Sequence, residues 1–121
     1  MTHPKSELYN YRCKLLRVVD GDTIECDVDL GFYTWRKVTL RLADIDAPEI
    51  RTKDLQEKAE GYKAAQILEL KLLDENPQGI FYIKSKGIDS FGRSIATIYT
   101  ESGDDINMYL LETGNADKWN S

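Results

Sequence analysis

Hydrophobic and polar residues alternate through the first half of this chain. A first strand is expected from about Tyr9 to Val19, ending at Asp20-Gly21, a strong hairpin signal. Beyond it Ile24, Cys26, Val28 and Leu30 point one way while Glu25, Asp27 and Asp29 point the other, the period of a half-buried strand. Gly31-Phe32-Tyr33-Thr34 makes a second turn. A third strand carries Val38, Leu40 and Leu42 on its core face and stops at Pro48, which cannot donate to a ladder. The period then lengthens. Asp54 with Glu57 three residues on reads as a capping box, and Leu55, Ala59, Tyr62, Leu68 and Leu72 hold a helical stripe to about Leu73. Gly61 weakens the front of that helix and moves its expected start towards itself. Asn76-Pro77-Gln78-Gly79 breaks the helix. Ile80 to Lys84 and Ser94 to Tyr99 read as two more strands, joined by a turn from Lys86 to Arg93. A short helix from Ile106 to Thr113 is capped by Asp104 or Asp105 and closed by Gly114. Five short strands with an interposed helix suit a small closed barrel of the OB type. The expected fold is therefore a β-rich α+β domain, a five-stranded OB-fold barrel with two or three flanking helices. It fills residues 1–121 as one unit, with residues 1–8 as a flexible N-terminus.

Composition narrows the class. A chain of 121 residues can bury one core without staples, and 41% hydrophobic with 31% charged residues is ordinary for a globular protein. No apolar run approaches the roughly 20 residues of a membrane helix, so no membrane role is expected. The first seven residues lack the apolar stretch of a signal peptide, which points to the cytoplasm, with secretion left open for a processed N-terminus. Cys13 and Cys26 fall on successive strands and are expected as reduced thiols, and His3 stands alone, so zinc finds no ligand set. The formal charge of −5 argues against an extended basic face for nucleic acid. It does not argue against a cleft of metal-binding acids, which is negative until its cation arrives. Acids crowd the C-terminal segment (Glu101, Asp104, Asp105, Glu112, Asp117), while Arg12, Lys14 and Arg17 open the first strand. Weak, salt-sensitive substrate holding by a monomer is the expectation.

Three turn-rich points carry the candidate chemistry. Asp-Gly at 20–21 alone reads as a turn, but Asp22 adds a second acid just past the tip, where a ligand would sit. Arg41 alternates with Leu40 and Leu42, so it faces away from the core. Asp44, Asp46 and Glu49 follow at once, and Pro48 forces a turn that can bring Asp46, the Ala47 carbonyl and Glu49 to one hard cation. Arg93 follows Asp89-Ser90-Phe91-Gly92 at another turn and alone could be a surface charge. Asp27-Val28-Asp29-Leu30-Gly31 is not an EF-hand loop, since it lacks the third acid and the terminal glutamate. Three carboxylates and two guanidiniums together are what metal-assisted cleavage of a phosphodiester requires.

The joint occurrence of these motifs resembles the staphylococcal nuclease-like (thermonuclease) family. It is carried by Val18-Val19-Asp20-Gly21-Asp22-Thr23, by the segment Arg41 to Glu49, and by Gly61-Tyr62-Lys63-Ala64. Asp89 to Arg93, Ile106-Asn107 and Leu111 to Ala116 complete it. The likeness covers about Leu16 to Ala116. It implies a five-stranded OB barrel and a calcium-dependent nuclease that cuts DNA and RNA with little sequence specificity. Water attacks phosphorus in such enzymes, leaving 3′-phosphates. Matched by position, Asp22, Asp46 and the Ala47 backbone carbonyl correspond to calcium ligands, Glu49 to the general base, and Arg41 and Arg93 to the phosphate-binding arginines. Phe91 stands beside Arg93 as a candidate substrate contact, and Ser90-Phe91 replaces the Lys-Tyr pair frequent in the family. Only Trp119 is available near the C-terminus to stack a base. The alternatives are a non-catalytic OB module that binds single-stranded nucleic acid or a protein, and a calcium-binding accessory domain, which leaves both arginines unexplained.

Overall fold

The computed structural model describes residues 9–119, so the expected flexible segment 1–8 and His3 lie outside the described residues. The elements in order are β1 (Asn10–Asp20), β2 (Thr23–Asp29), β3 (Trp35–Leu42), β4 (Ile45–Asp46), α1 (Leu55–Asp74), β5 (Ile80–Ile88), β6 (Ser94–Tyr99), α2 (Ile106–Glu112) and β7 (Asp117–Lys118). Five of the strands close into a mixed barrel in the order β1-β2-β3-β6-β5, with β5 returning to β1. Only β3 and β6 run parallel, meeting over Leu40–Leu42 and Ser94–Ala96. This is the expected OB-type α+β fold. The short β4 and β7 pair separately, Asp46 opposite Asp117, an arrangement too brief to leave a pattern in the sequence.

Alternation builds the core as the pattern dictates. Ile24, Cys26 and Val28 from β2, Leu40 and Leu42 from β3, and Ala96 and Ile98 from β6 are all buried. Leu30 departs from the expected row, because β2 ends at Asp29 and the hairpin leaves the barrel there; Leu30 is exposed. Cys13 and Cys26 are buried free thiols. The neighbouring Cys26 thiol and burial together push the Cys13 thiol well above the ordinary range. Among the described residues, no helix is long and apolar enough to cross a membrane.

Two features of α1 differ from expectation. The helix starts at Leu55 and runs through Gly61, and its buried stripe is Gly61, Ala64, Ala65, Leu68 and Leu72. Leu55, Ala59 and Tyr62 lie on the solvent side. Asp54 caps the amides of Gln56 and Glu57, but Glu57 does not return the bond; its carboxylate instead accepts from the Thr52 hydroxyl. The small residues of the stripe let the helix press closely on the barrel. A Cβ on Gly21 would stand 2.6 Å from the Ala64 Cβ, so the β1–β2 turn needs glycine for close approach rather than for a left-handed backbone.

Helix α2, capped by Asp105, carries Asn107 into the interior. This amide donates to the Ala43 carbonyl at 3.0 Å and the Ala96 carbonyl at 3.2 Å, and it accepts from the Ile98 amide at 3.1 Å. One side chain thus ties α2 to β6 and to the end of β3. Asn107→Ala should destabilise the domain by about 3 kcal/mol, because buried backbone groups lose their partners. A urea titration checks this through a lowered midpoint at unchanged slope.

Candidate active site

The turn between β1 and β2 places Asp22 against the segment that follows β3. Its residue is only 6% exposed, so its carboxylate must be satisfied within the protein. Oδ1 accepts from the Thr23 hydroxyl at 2.9 Å, and Oδ2 accepts from the Ala47 amide at 2.8 Å. The Asp22 carbonyl also accepts from the Leu42 amide at 2.8 Å. Two loops distant in sequence are clasped by one aspartate.

Arg41 lies opposite Thr23 on the outer face of β3, as alternation requires. Its side chain is 15% exposed and is not a freely solvated surface charge. Nη1 donates to the Leu42 carbonyl at 2.8 Å. Nη2 sits 3.4 Å from Asp22 Oδ2 and 3.4 Å from Asp46 Oδ1, so one nitrogen spans both candidate ligand carboxylates. Asp46 is held on β4 by its pairing with β7, and its side chain remains open to solvent.

Asp20, read from sequence as a turn residue, belongs to the same cluster. Its Oδ1 accepts from the Ile50 amide at 3.2 Å. Burial pushes its carboxyl above the ordinary range and repulsion from Asp22 adds to this, while the Ile50 amide, Arg51 and Arg41 oppose the rise. The signal was the acid itself in Asp20-Gly21-Asp22, hidden by the frequency of Asp-Gly in hairpins.

Glu49 is exposed on the loop from β4 to α1, and its carboxylate has no hydrogen bond or ion pair among the described residues. The loop itself is braced. A Cβ on Gly61 would lie 2.8 Å from the Glu49 carbonyl carbon and oxygen, so α1 leans directly on the backbone of Glu49. The glycine that weakens the helix in isolation is what lets it support this loop.

Arg93 approaches from the other side. Asp89 organises the β5–β6 turn by accepting from the amides of Phe91 (2.9 Å) and Arg93 (3.0 Å) and from Arg93 Nε (2.7 Å). Desolvation pushes the Asp89 carboxyl up, but these bonds and the guanidinium outweigh it and hold it below the usual range. The Arg93 guanidinium lies 5.3 Å from the Phe91 ring centre. A cavity of about 640 Å³ is lined by Arg41, Arg93, Phe91, Lys86, Asp44 and Trp119, among others. The two arginines thus line one space together with Phe91 and Trp119.

Of the residues singled out from sequence, Asp22, Asp46 and Arg41 meet directly, and Arg93 and Phe91 share a cavity with Arg41. Among the described residues, no three His, Cys, Asp or Glu side chains form a cage of their own. The donors on hand are the carboxylates of Asp22 and Asp46, hard oxygens, with the Ala47 amide, rather than its carbonyl, turned to Asp22. That set fits a hard cation that keeps several waters, and a positive group already prefers the point between the carboxylates.

Comparison with known proteins finds one family and several relatives. The family described as staphylococcal nuclease homologue matches residues 39–120. Endonuclease YhcR of Bacillus subtilis (strain 168) is 30% identical over 93% of this chain and 9% of its own length. Micrococcal nuclease of Shigella flexneri is 31% identical over 74% of this chain and 43% of its own. Succinoglycan biosynthesis protein ExoI of Rhizobium meliloti (strain 1021) is 31% identical over 82% of this chain and 48% of its own. The chain therefore spans about half or less of the length of these relatives.

The contact between Gly61 and Glu49 is open to test. Gly61→Ala should destabilise the domain by about 1–2 kcal/mol, since overpacking outweighs alanine's roughly 1 kcal/mol helix preference. Thermal unfolding measures it; a raised melting temperature would show that the loop does not rest on the helix.

Proposed function

We propose, from the premise that the chain belongs to the staphylococcal nuclease homologue family, that it hydrolyses phosphodiester bonds of DNA and RNA at the Asp22–Arg41–Asp46 cluster. The observation that carries this reading is convergence: three segments deliver two carboxylates and a guanidinium to within 3.4 Å, with Arg93 on the adjoining cavity. Asp22, Asp46 and the Ala47 carbonyl would hold a calcium ion. When bound, such a cation supplies fixed positive charge beside the phosphate and lowers the cost of an added negative charge.

The chain's own residues perform the remainder. Arg41 and Arg93 bind the phosphate oxygens with planar paired donors, a geometry lysine cannot supply. Positive groups fixed in advance stabilise the charge that builds on phosphorus as water attacks. Glu49, exposed and unpaired, takes the proton from that water as the new bond to phosphorus forms. The bond from phosphorus to the 5′ oxygen breaks, leaving a 3′-phosphate and a 5′-hydroxyl that gains a proton from solvent. Arg41 now spans the oxygens that would bind the cation, so guanidinium and cation compete for them, and phosphate offers Arg41 its alternative partner.

Incubation of the protein with single-stranded DNA and calcium, with and without chelator, tests the reading. Cleavage should require calcium and end with chelator. Glu49→Ser should lower the rate by about 10²–10⁴, and Arg41→Lys by about 10²–10³. Binding without cleavage would identify a non-catalytic OB module instead.

A further inference from the structure

We propose that the β2–β3 hairpin is a second nucleic-acid contact, an aromatic landing for unpaired bases of a strand that runs along β3 to Arg41; this rests on the nuclease reading of the Arg41 site. The turn at its tip is unusual. Thr34 donates its amide to the Gly31 carbonyl at 2.9 Å, and both residues between them are left-handed, Phe32 at φ 54° and Tyr33 at φ 61°. Such a turn favours Asn-Gly, and bulky side chains avoid it. Phe32 and Tyr33 are 98% and 103% exposed, so neither ring packs on the protein to offset the strain. Strained backbone that presents two bare rings to solvent points to a contact outside the chain.

The hairpin's direction supplies the occupant. Alternation sets Trp35, Lys37, Thr39 and Arg41 in one outward row, about 20 Å long at the usual strand rise. Trp35 at the far end is 43% exposed and continues the aromatic surface of the tip. The landing is thus continuous with the proposed catalytic arginine. Its charge is not that of a phosphate clamp. Lys37 stands 3.5 Å from Glu25, which also holds Arg17 at 2.9 Å, and Asp27 and Asp29 face Lys37 and Trp35 across the pair. Duplex binding draws chiefly on phosphate neutralisation, which this row cannot offer. Ring stacking needs an open base face, which only an unpaired base has. The same acids disfavour an anionic membrane surface.

The double variant Phe32→Asn/Tyr33→Gly installs the residues that the turn prefers, so its melting temperature should rise. Affinity is read by anisotropy on labelled oligothymidylate of about 20 nucleotides, with Glu49→Ser in both proteins so that nothing is cut. The double variant should bind roughly tenfold more weakly. With Glu49 intact, hydrolysis of a p-nitrophenyl nucleotide diester, too short to reach the hairpin, should be unchanged. Phe32→Tyr, which keeps the ring, should retain the affinity. Equal oligothymidylate affinity in the double variant overturns the proposal, even if the variant has lost self-association or binding to phosphatidylserine vesicles. A protein that loses oligonucleotide affinity through the hairpin but cleaves neither substrate upholds the landing and defeats the nuclease reading. A protein that cleaves both substrates and keeps its oligothymidylate affinity in the double variant does the reverse.

Discussion

A carboxylate taken out of water must find partners inside the protein, because an unpaired buried charge costs several kcal/mol. Asp22 meets this demand with the Thr23 hydroxyl, the Ala47 amide and the Arg41 guanidinium. Those partners lie on β2, on the segment after β4, and on β3. Satisfying one charge therefore ties the segment after β4 to the paired ends of β2 and β3. The chemistry assigned to the site inherits its geometry from this requirement of folding.

Around that clasp, close packing does the positioning. Gly21 admits Ala64 of α1, and Gly61 admits the Glu49 backbone, so one helix presses on both acidic loops. Asn107 anchors the second helix to β6 and to the carbonyl of Ala43, just past β3. The Asp89 carboxylate orders the turn that carries Arg93. Arg41 and Asp46 sit on strands, while Asp22, Glu49 and Arg93 sit on loops that are each held to a regular element by hydrogen bonds or close packing. A site built this way is set before substrate arrives, as electrostatic stabilisation of a transition state demands.

Much of this was legible in the sequence, and the reasons are physical. Strand alternation is strict where one face is buried, so the rows Ile24-Cys26-Val28 and Leu40-Leu42 could be read directly. The same alternation placed Arg41 outside the core. What alternation cannot register is contact between segments far apart in the chain. Gly61 looked like a flaw in a helix because its reason, the Glu49 backbone, lies in another loop. Leu68 and Leu72 of the expected helical stripe are buried, but Leu55, Ala59 and Tyr62 are not, because the front of the buried face is made of the small residues Gly61, Ala64 and Ala65. Asp20 was masked by a common turn, and the two-residue β4–β7 pair by its brevity. The left-handed turn at Phe32-Tyr33 runs against local preference, so nothing in the residues themselves announces it.

The central claim is that the oxygens now spanned by Arg41 form the cation site of a hydrolase. Crystals soaked in manganese, a calcium substitute visible by anomalous scattering, test it most directly. The account predicts a peak in contact with the carboxylates of Asp22 and Asp46 and an Arg41 guanidinium moved off them towards the Arg93 cavity. A map without that peak, with Arg41 still bridging both carboxylates at saturating manganese, would contradict it.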